Sequence, residues 1–141
     1  MKREVLIRLR GTQNYESQAP DTIELTTEGT LTRDEGRLIL SYKETALTGL
    51  EGTVTSFEVQ NDRVVLRRTG TVSSKMEFSV GEVHKSLYET PMGALLVTVS
   101  ATKVENNLGD DGGNLTVAYA ITIEDLGMGT IEYHLEVTPL D

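Results

Sequence analysis

The sequence predicts an all-β chain, an up-and-down antiparallel barrel of about ten strand segments. Three observations carry this. Apolar residues recur at every second position along most of the chain. Turn-forming pairs separate the alternating runs. No segment shows helical spacing, and threonine, which favours strands, is abundant.

The alternation is explicit. Val5, Ile7 and Leu9 share one face, as do Leu38, Leu40 and Tyr42; Phe57 and Val59; Val64 and Leu66; and Met76, Phe78 and Val80. Further on come Leu95, Val97 and Val99, then Leu115, Val117, Tyr119, Ile121 and Ile123, then Ile131, Tyr133, Leu135 and Val137. Period-two alternation marks a sheet with one buried face. Asn61-Asp62 suits a tight hairpin turn, because both residues tolerate positive φ. That turn sets Val59 opposite Val64, Phe57 opposite Leu66 and Thr55 opposite Arg68, so the apolar faces match. A turn at Asp34-Glu35 before Gly36 pairs Leu31 with Leu38 and sets Gly29 opposite Leu40, where an inward glycine lets the strand bend. Around Gly127 a loop of odd length sets Ile123 opposite Ile131. Residues 82–92 disagree with themselves. A turn at Gly81-Glu82 puts Leu87 inside, whereas one at Pro91-Met92 pairs Tyr88 with Leu95 and puts Tyr88 inside; the second is favoured, with a bulge or loop between 82 and 88. A meander of this length closes to remove its edges; a two-sheet sandwich is the alternative.

With 141 residues and no low-complexity linker, residues 1–141 read as one domain. The net charge of -9 disfavours nucleic acid and anionic membrane surfaces as partners. The absence of cysteine excludes disulfides, thiolate metal sites and a cysteine nucleophile. The first ten residues alternate charge with aliphatics, which is neither a signal peptide nor a membrane span, so a cytoplasmic location is expected.

The stretches Leu40-Ser-Tyr-Lys-Glu44, Arg68-Thr-Gly70, Met76-Glu-Phe78, Tyr88-Glu-Thr-Pro-Met-Gly93 and Leu115-Thr-Val-Ala-Tyr119 add a resemblance. Together, in order and over nearly the whole chain, they resemble the YwiB-like family of uncharacterised bacterial proteins. The resemblance implies a cytoplasmic, lipocalin-like (calycin) β-barrel. Met92 departs from it, standing where an aromatic residue is expected. It implies no activity and no catalytic residues.

Candidate chemistry is sparse. His134 has outward parity and His84 lies in the ambiguous region. Neither has an acidic partner at fixed spacing, so both read as exposed surface histidines. Asn106-Asn-Leu-Gly-Asp-Asp-Gly-Gly-Asn114 offers oxygen ligands for a hard cation but lacks EF-hand spacing, and a flexible hairpin loop explains it as well. Gly127-Met-Gly129 is no phosphate loop, and no serine sits in a G-x-S-x-G context. No metal, cofactor or catalytic residue is predicted.

One constellation is positional. If the strands alternately rise and fall, Tyr42, Glu44, Thr55, Arg68 and Tyr88 face inward at one mouth of the barrel, with Tyr119 and Tyr133 in the same half. In one reading Arg68 and Glu44 pair and plug that end, since an unpaired buried charge costs roughly 3–5 kcal/mol. In the other the mouth is open, and Arg68 and the tyrosines orient a small ligand, anionic or partly apolar. With two phenylalanines and no tryptophan, the core depends on aliphatics, and an incompletely filled interior fits. Three functions follow, in this order: a small-molecule-binding barrel, a protein-interaction module on a plugged barrel, and an enzyme using Glu44 as acid or base beside Arg68. The sequence does not decide between monomer and homodimer.

Overall fold

The computed structural model describes residues 2–15, 19–46, 49–124 and 127–140. The strands are β1 Lys2–Tyr15, β2 Asp21–Asp34, β3 Arg37–Lys43, β4 Thr53–Gln60, β5 Arg63–Gly70, β6 Ser74–Phe78, β7 Val83–Thr90, β8 Gly93–Gly109, β9 Gly112–Ile123 and β10 Gly127–Pro139. They form one antiparallel sheet in the order β6-β5-β4-β3-β2-β1-β10-β9-β8-β7. Every strand therefore lies beside its chain neighbour except at the β6–β7 seam, and β1 meets β10: the connectivity of an up-and-down barrel. At the seam the backbones of Ser73 and Glu89 exchange hydrogen bonds of 2.9 and 2.8 Å, which makes the barrel nearly closed. No helix is long and apolar enough to cross a membrane among the described residues.

Inward positions carry the core. Val5, Ile7, Leu31, Leu40, Phe57, Val64, Leu66, Phe78, Leu115, Val117 and Leu135 are almost completely buried. The β4–β5 hairpin has the expected register, Val59 against Val64, Phe57 against Leu66 and Thr55 against Arg68, and Asn61 takes φ 54° at its tip.

Two other hairpins slip by an even number of residues. Leu31 pairs with Leu40 rather than Leu38, Arg33 faces Leu38, and the turn residues are Glu35 and Gly36, with φ 50° and 82°. Gly29 lies past the end of that pairing, where an added Cβ would stand 2.3 Å from the Ser41 carbonyl oxygen and 2.7 Å from Ile7 Cδ1. Its role is thus close backbone approach as well as bending. Ile123 pairs with Gly127, and Ile131 pairs with Tyr119. An even slip leaves parity intact, so the buried faces stay as expected. Glu35 is a residue type poorly suited to its conformation. Glu35→Asn creates the Asn-Gly pair this turn prefers, and should raise stability by up to about 1 kcal/mol, read as a higher urea midpoint at unchanged slope.

The ambiguous region resolves through the seam. β7 pairs with β8 along its whole length, including Tyr88 with Leu95, and takes its parity from that partner. Tyr88 packs against the core while Leu87 is 54% exposed. No bulge in β7 is needed, because a turn at Ser79–Glu82 detaches β7 from β6. That turn also overturns one inward assignment. Val80 leaves the β6 pleat, bridges Ala101 in parallel and is 59% exposed.

The asparagine- and aspartate-rich segment is a regular hairpin end rather than a flexible loop. Asp110 binds Arg33 at 2.6 Å, Asp111 binds Arg3 at 2.7 Å, and Asn106 donates to the Asn61 carbonyl at 2.9 Å. A register irregularity between Ala101 and Lys103 divides β8 above this arm. The long β8–β9 arm thereby reaches the start of β1, the end of β2 and the β4–β5 tip, closing the base of the barrel.

Candidate functional site

With the base occupied, the opposite end holds a cavity of about 390 Å3. All five tyrosines of the chain line it, Tyr15, Tyr42, Tyr88, Tyr119 and Tyr133, together with Arg68 and Glu44. Most of the remaining wall is aliphatic, from Leu9 and Leu25 to Val97, Ile121 and Ile131. Of the seven residues expected at this mouth, six line the cavity. Thr55 does not: it is completely buried behind the wall, and its hydroxyl donates to Glu44 Oε2 at 2.6 Å.

The strands place these groups by parity. Tyr42 is the last inward residue of β3, and Glu44 follows at the same parity, anchored by its N–H to the Thr53 carbonyl at 2.8 Å. The Glu44 carboxylate accepts from both Thr55 and the Tyr42 hydroxyl. Burial, reinforced by the Glu44 charge, pushes the Tyr42 phenol well above its ordinary range, so it stays a hydrogen-bond donor.

Arg68 stands between Thr55 and Ser74 in register and is only 8% exposed. It does not pair with Glu44; among the described residues it forms no salt bridge, and its Nε has no hydrogen-bond partner. The guanidinium instead lies by the Tyr133 hydroxyl, which neighbours Tyr119. The physical reason is competition. The Glu44 carboxylate is already held by two hydroxyls on the β3–β4 side, while Arg68 turns toward the β9 and β10 tyrosines. Burial opposes the arginine charge, but the negative charge that Tyr133 and Tyr119 would carry as phenolates, and the Tyr133 hydrogen bond, raise its pKa above the ordinary value. Burial in turn holds the Tyr119 phenol protonated well past its usual range. Near neutral pH the cation therefore lies by the neutral Tyr119 phenol in a largely apolar chamber.

Ring packing fixes the tyrosines. Tyr119 stacks on Phe78 with centroids 4.4 Å apart, and Tyr133 meets Phe57 edge-on at 6.2 Å. Two glycines make room. Gly11 pairs with Tyr133, and a Cβ there would stand 3.0 Å from the ring; Gly129 pairs with Tyr15, and a Cβ there would stand 2.4 Å from it. Each ring covers a cross-strand glycine. Tyr15, Gln13 and Ile23 escaped the sequence reading. Continuing the Val5–Ile7–Leu9 period through Gly11 and Gln13 reaches Tyr15, but glycine and glutamine interrupt the apolar signal. Burial raises the Tyr15 phenol too, with Tyr133 and Tyr88 adding to it.

The histidines lie elsewhere. His134 is outward and its Nδ1 is 2.8 Å from Thr116 Oγ1. His84 is not the exposed residue expected, since it is half-buried at the seam between Glu77 and Glu82, 3.9 and 3.7 Å away. Among the described residues no group of three or more His, Cys, Asp or Glu side chains is arranged to hold a metal.

Fold and cavity together define a class: a small up-and-down β-barrel with a polar-headed internal chamber at one end. The chain belongs to the family described as Domain of unknown function (DUF1934), whose model matches residues 7–136. It is 26% identical over 136 residues to the "Uncharacterized beta-barrel protein YwiB" of Bacillus subtilis (strain 168), covering 96% of this chain and 91% of that protein. The crystal structure of the ywiB protein from Bacillus subtilis superposes with a TM-score of 0.80 over 96% of this chain and 92% of that one, at 19% identity, a likeness of fold.

Proposed function

We propose that this barrel binds a small anionic molecule in the cavity, with Arg68 as the anchor. The observation that carries the reading is the buried guanidinium without a carboxylate partner, its Nε unbonded, in the wall of a cavity large enough for a ligand. A buried cation without a counter-ion is costly, and an incoming anion would relieve that cost while gaining charge-assisted hydrogen bonds from the guanidinium and a phenol. Glu44 is held as an acceptor by Thr55 and Tyr42, which supports a structural rather than a catalytic role for it.

The test is mass spectrometry of small molecules released by denaturing the purified protein, run in parallel on wild type and Arg68→Met. An anionic compound retained by the wild type and lost from the variant supports the reading. Equal retention by both, or neutral compounds only, overturns it. The compartment in this reading is the cytoplasm, a setting compatible with a cysteine-free chain, and subcellular fractionation checks it.

A second reading, a surface for protein contact, rests on Leu87 and Leu96. They face each other across β7 and β8 on the outside of the barrel and are 54% and 40% exposed, with Val83, four positions earlier on the same face of β7, at 62%. Sedimentation of wild type and Leu87→Lys separates the two: a shift to a smaller species in the variant supports the contact surface.

A further inference from the structure

We infer that the ligand is a monoanionic amphiphile, an alkyl or aryl-alkyl monocarboxylate, bound head-inward. The inference rests on the anion-binding reading of the cavity and specifies its ligand class and orientation.

Two features of the lining carry it. The first is charge. Among the described lining residues Arg68 is the single Lys or Arg and Glu44 the single Asp or Glu. One anionic charge satisfies Arg68. A second would meet no further cation and would lie in the field of Glu44, in a chamber where low dielectric strengthens repulsion. A phosphate monoester dianion, a nucleotide or a dicarboxylate is therefore a poor match. A carboxylate, with two oxygens for the Arg68 guanidinium and a tyrosine hydroxyl, is a good one.

The second feature is depth. Arg68 and Tyr119 are buried, at 8% and 2% exposure, whereas the half-buried lining residues, Tyr133 in the middle of β10 excepted, lie toward the strand ends around the mouth. These are Tyr15 at the end of β1, Ile23 at the start of β2, Leu50 before β4, Tyr88 near the end of β7, Leu95 at the start of β8 and Ile123 at the end of β9. Apart from Gln13, this collar is apolar or aromatic. A phosphosugar or amino acid would set many polar groups against that collar, where only Gln13 and the Tyr15 and Tyr88 hydroxyls among the described lining residues offer partners. An amphiphile passes its charged head inside and leaves hydrocarbon in the collar. The polarity is the reverse of an ordinary protein surface pocket: polar groups deep, apolar groups at the entrance.

Isothermal titration at neutral pH, below the micelle concentration of each probe, compares dodecanoate, dodecanol and dodecyl phosphate, with glucose 6-phosphate as a polar anion. Wild type should bind dodecanoate at least ten-fold more tightly than dodecanol or dodecyl phosphate. Arg68→Met should weaken dodecanoate ten-fold or more and dodecanol little. These comparisons on wild type need no folded variant. For orientation, a dodecanoic acid carrying a dansyl group at its methyl end should remain open to iodide quenching when bound. Stronger binding of either phosphate, still dependent on Arg68, keeps the anion site and overturns the monoanionic amphiphile. A shielded dansyl group overturns the head-inward orientation. Binding of dodecanol equal to dodecanoate, or of no probe at all, overturns both this inference and the reading beneath it.

Discussion

Phe78→Ala is expected to destabilise the barrel by about 3–5 kcal/mol, among the largest losses a single truncation produces. Phe78 is completely buried at the end of β6, opposite Val64, and its ring lies against Tyr119. The chain has two phenylalanines and no tryptophan, so few other side chains can expand into the space. β6 is also an edge of the sheet, joined to β7 by a single antiparallel bridge at Ser73, so Phe78 is a main attachment of that edge to the core. Urea unfolding measures the loss. Because Phe78 backs the Tyr119 ring, the variant should also bind the proposed ligand more weakly, through a tyrosine no longer held in place. A loss under about 1 kcal/mol would mean that the neighbours collapse into the gap and that β6 is not anchored by this ring.

The same residue shows what was legible in the sequence. Phe78 and Met76 announce an inward face by period two, and they are inward; Val80 continues the period but not the strand. Alternation records which side of a pleat a residue occupies. It does not record where pairing ends. The even register slips at Leu31 and Ile131 are invisible to alternation for the same reason, since moving a partner by two positions changes no face. Glu35 hid the true turn, because glutamate is rarely placed at positive φ and Asp34-Glu35 ahead of a glycine looked the better turn.

Six cavity residues were legible because parity and strand direction fix the end of a meander a side chain reaches. The partner a charged group chooses there was not. Arg68 and Glu44 share an end and a face, which is all that sequence position gives. That Glu44 is taken by Thr55 and Tyr42, and Arg68 by Tyr133, depends on a few ångströms of side-chain reach. Tyr15 was missed for the opposite reason: Gly11 and Gln13 erase the apolar signal although the strand runs on, the glycine being there to make room for the Tyr133 ring.

Arg68→Met should make the ligand-free barrel more stable, by about 1–3 kcal/mol. The sign follows from the partners. Where a buried arginine is paired with a carboxylate, removing it strands the partner and costs roughly 3–5 kcal/mol. Here the Glu44 carboxylate keeps its neighbours Thr55 and Tyr42, and Tyr133 keeps its ring contact with Tyr119, so the substitution strands no charge. It removes the desolvation of a guanidinium that no carboxylate offsets, and methionine adds flexible apolar volume beside Met76 and Phe57 in the cavity wall. Chemical denaturation of ligand-free wild type, Arg68→Met, Glu44→Gln and the double variant measures both quantities. The coupling energy between the two positions should stay below about 1 kcal/mol, against the several expected of a true pair. A destabilised Arg68→Met with strong coupling to Glu44 would restore the plug and remove the basis for an anion site. A stabilised variant that has lost its ligand would show an arginine kept at a cost to folding, as expected of a group placed for binding.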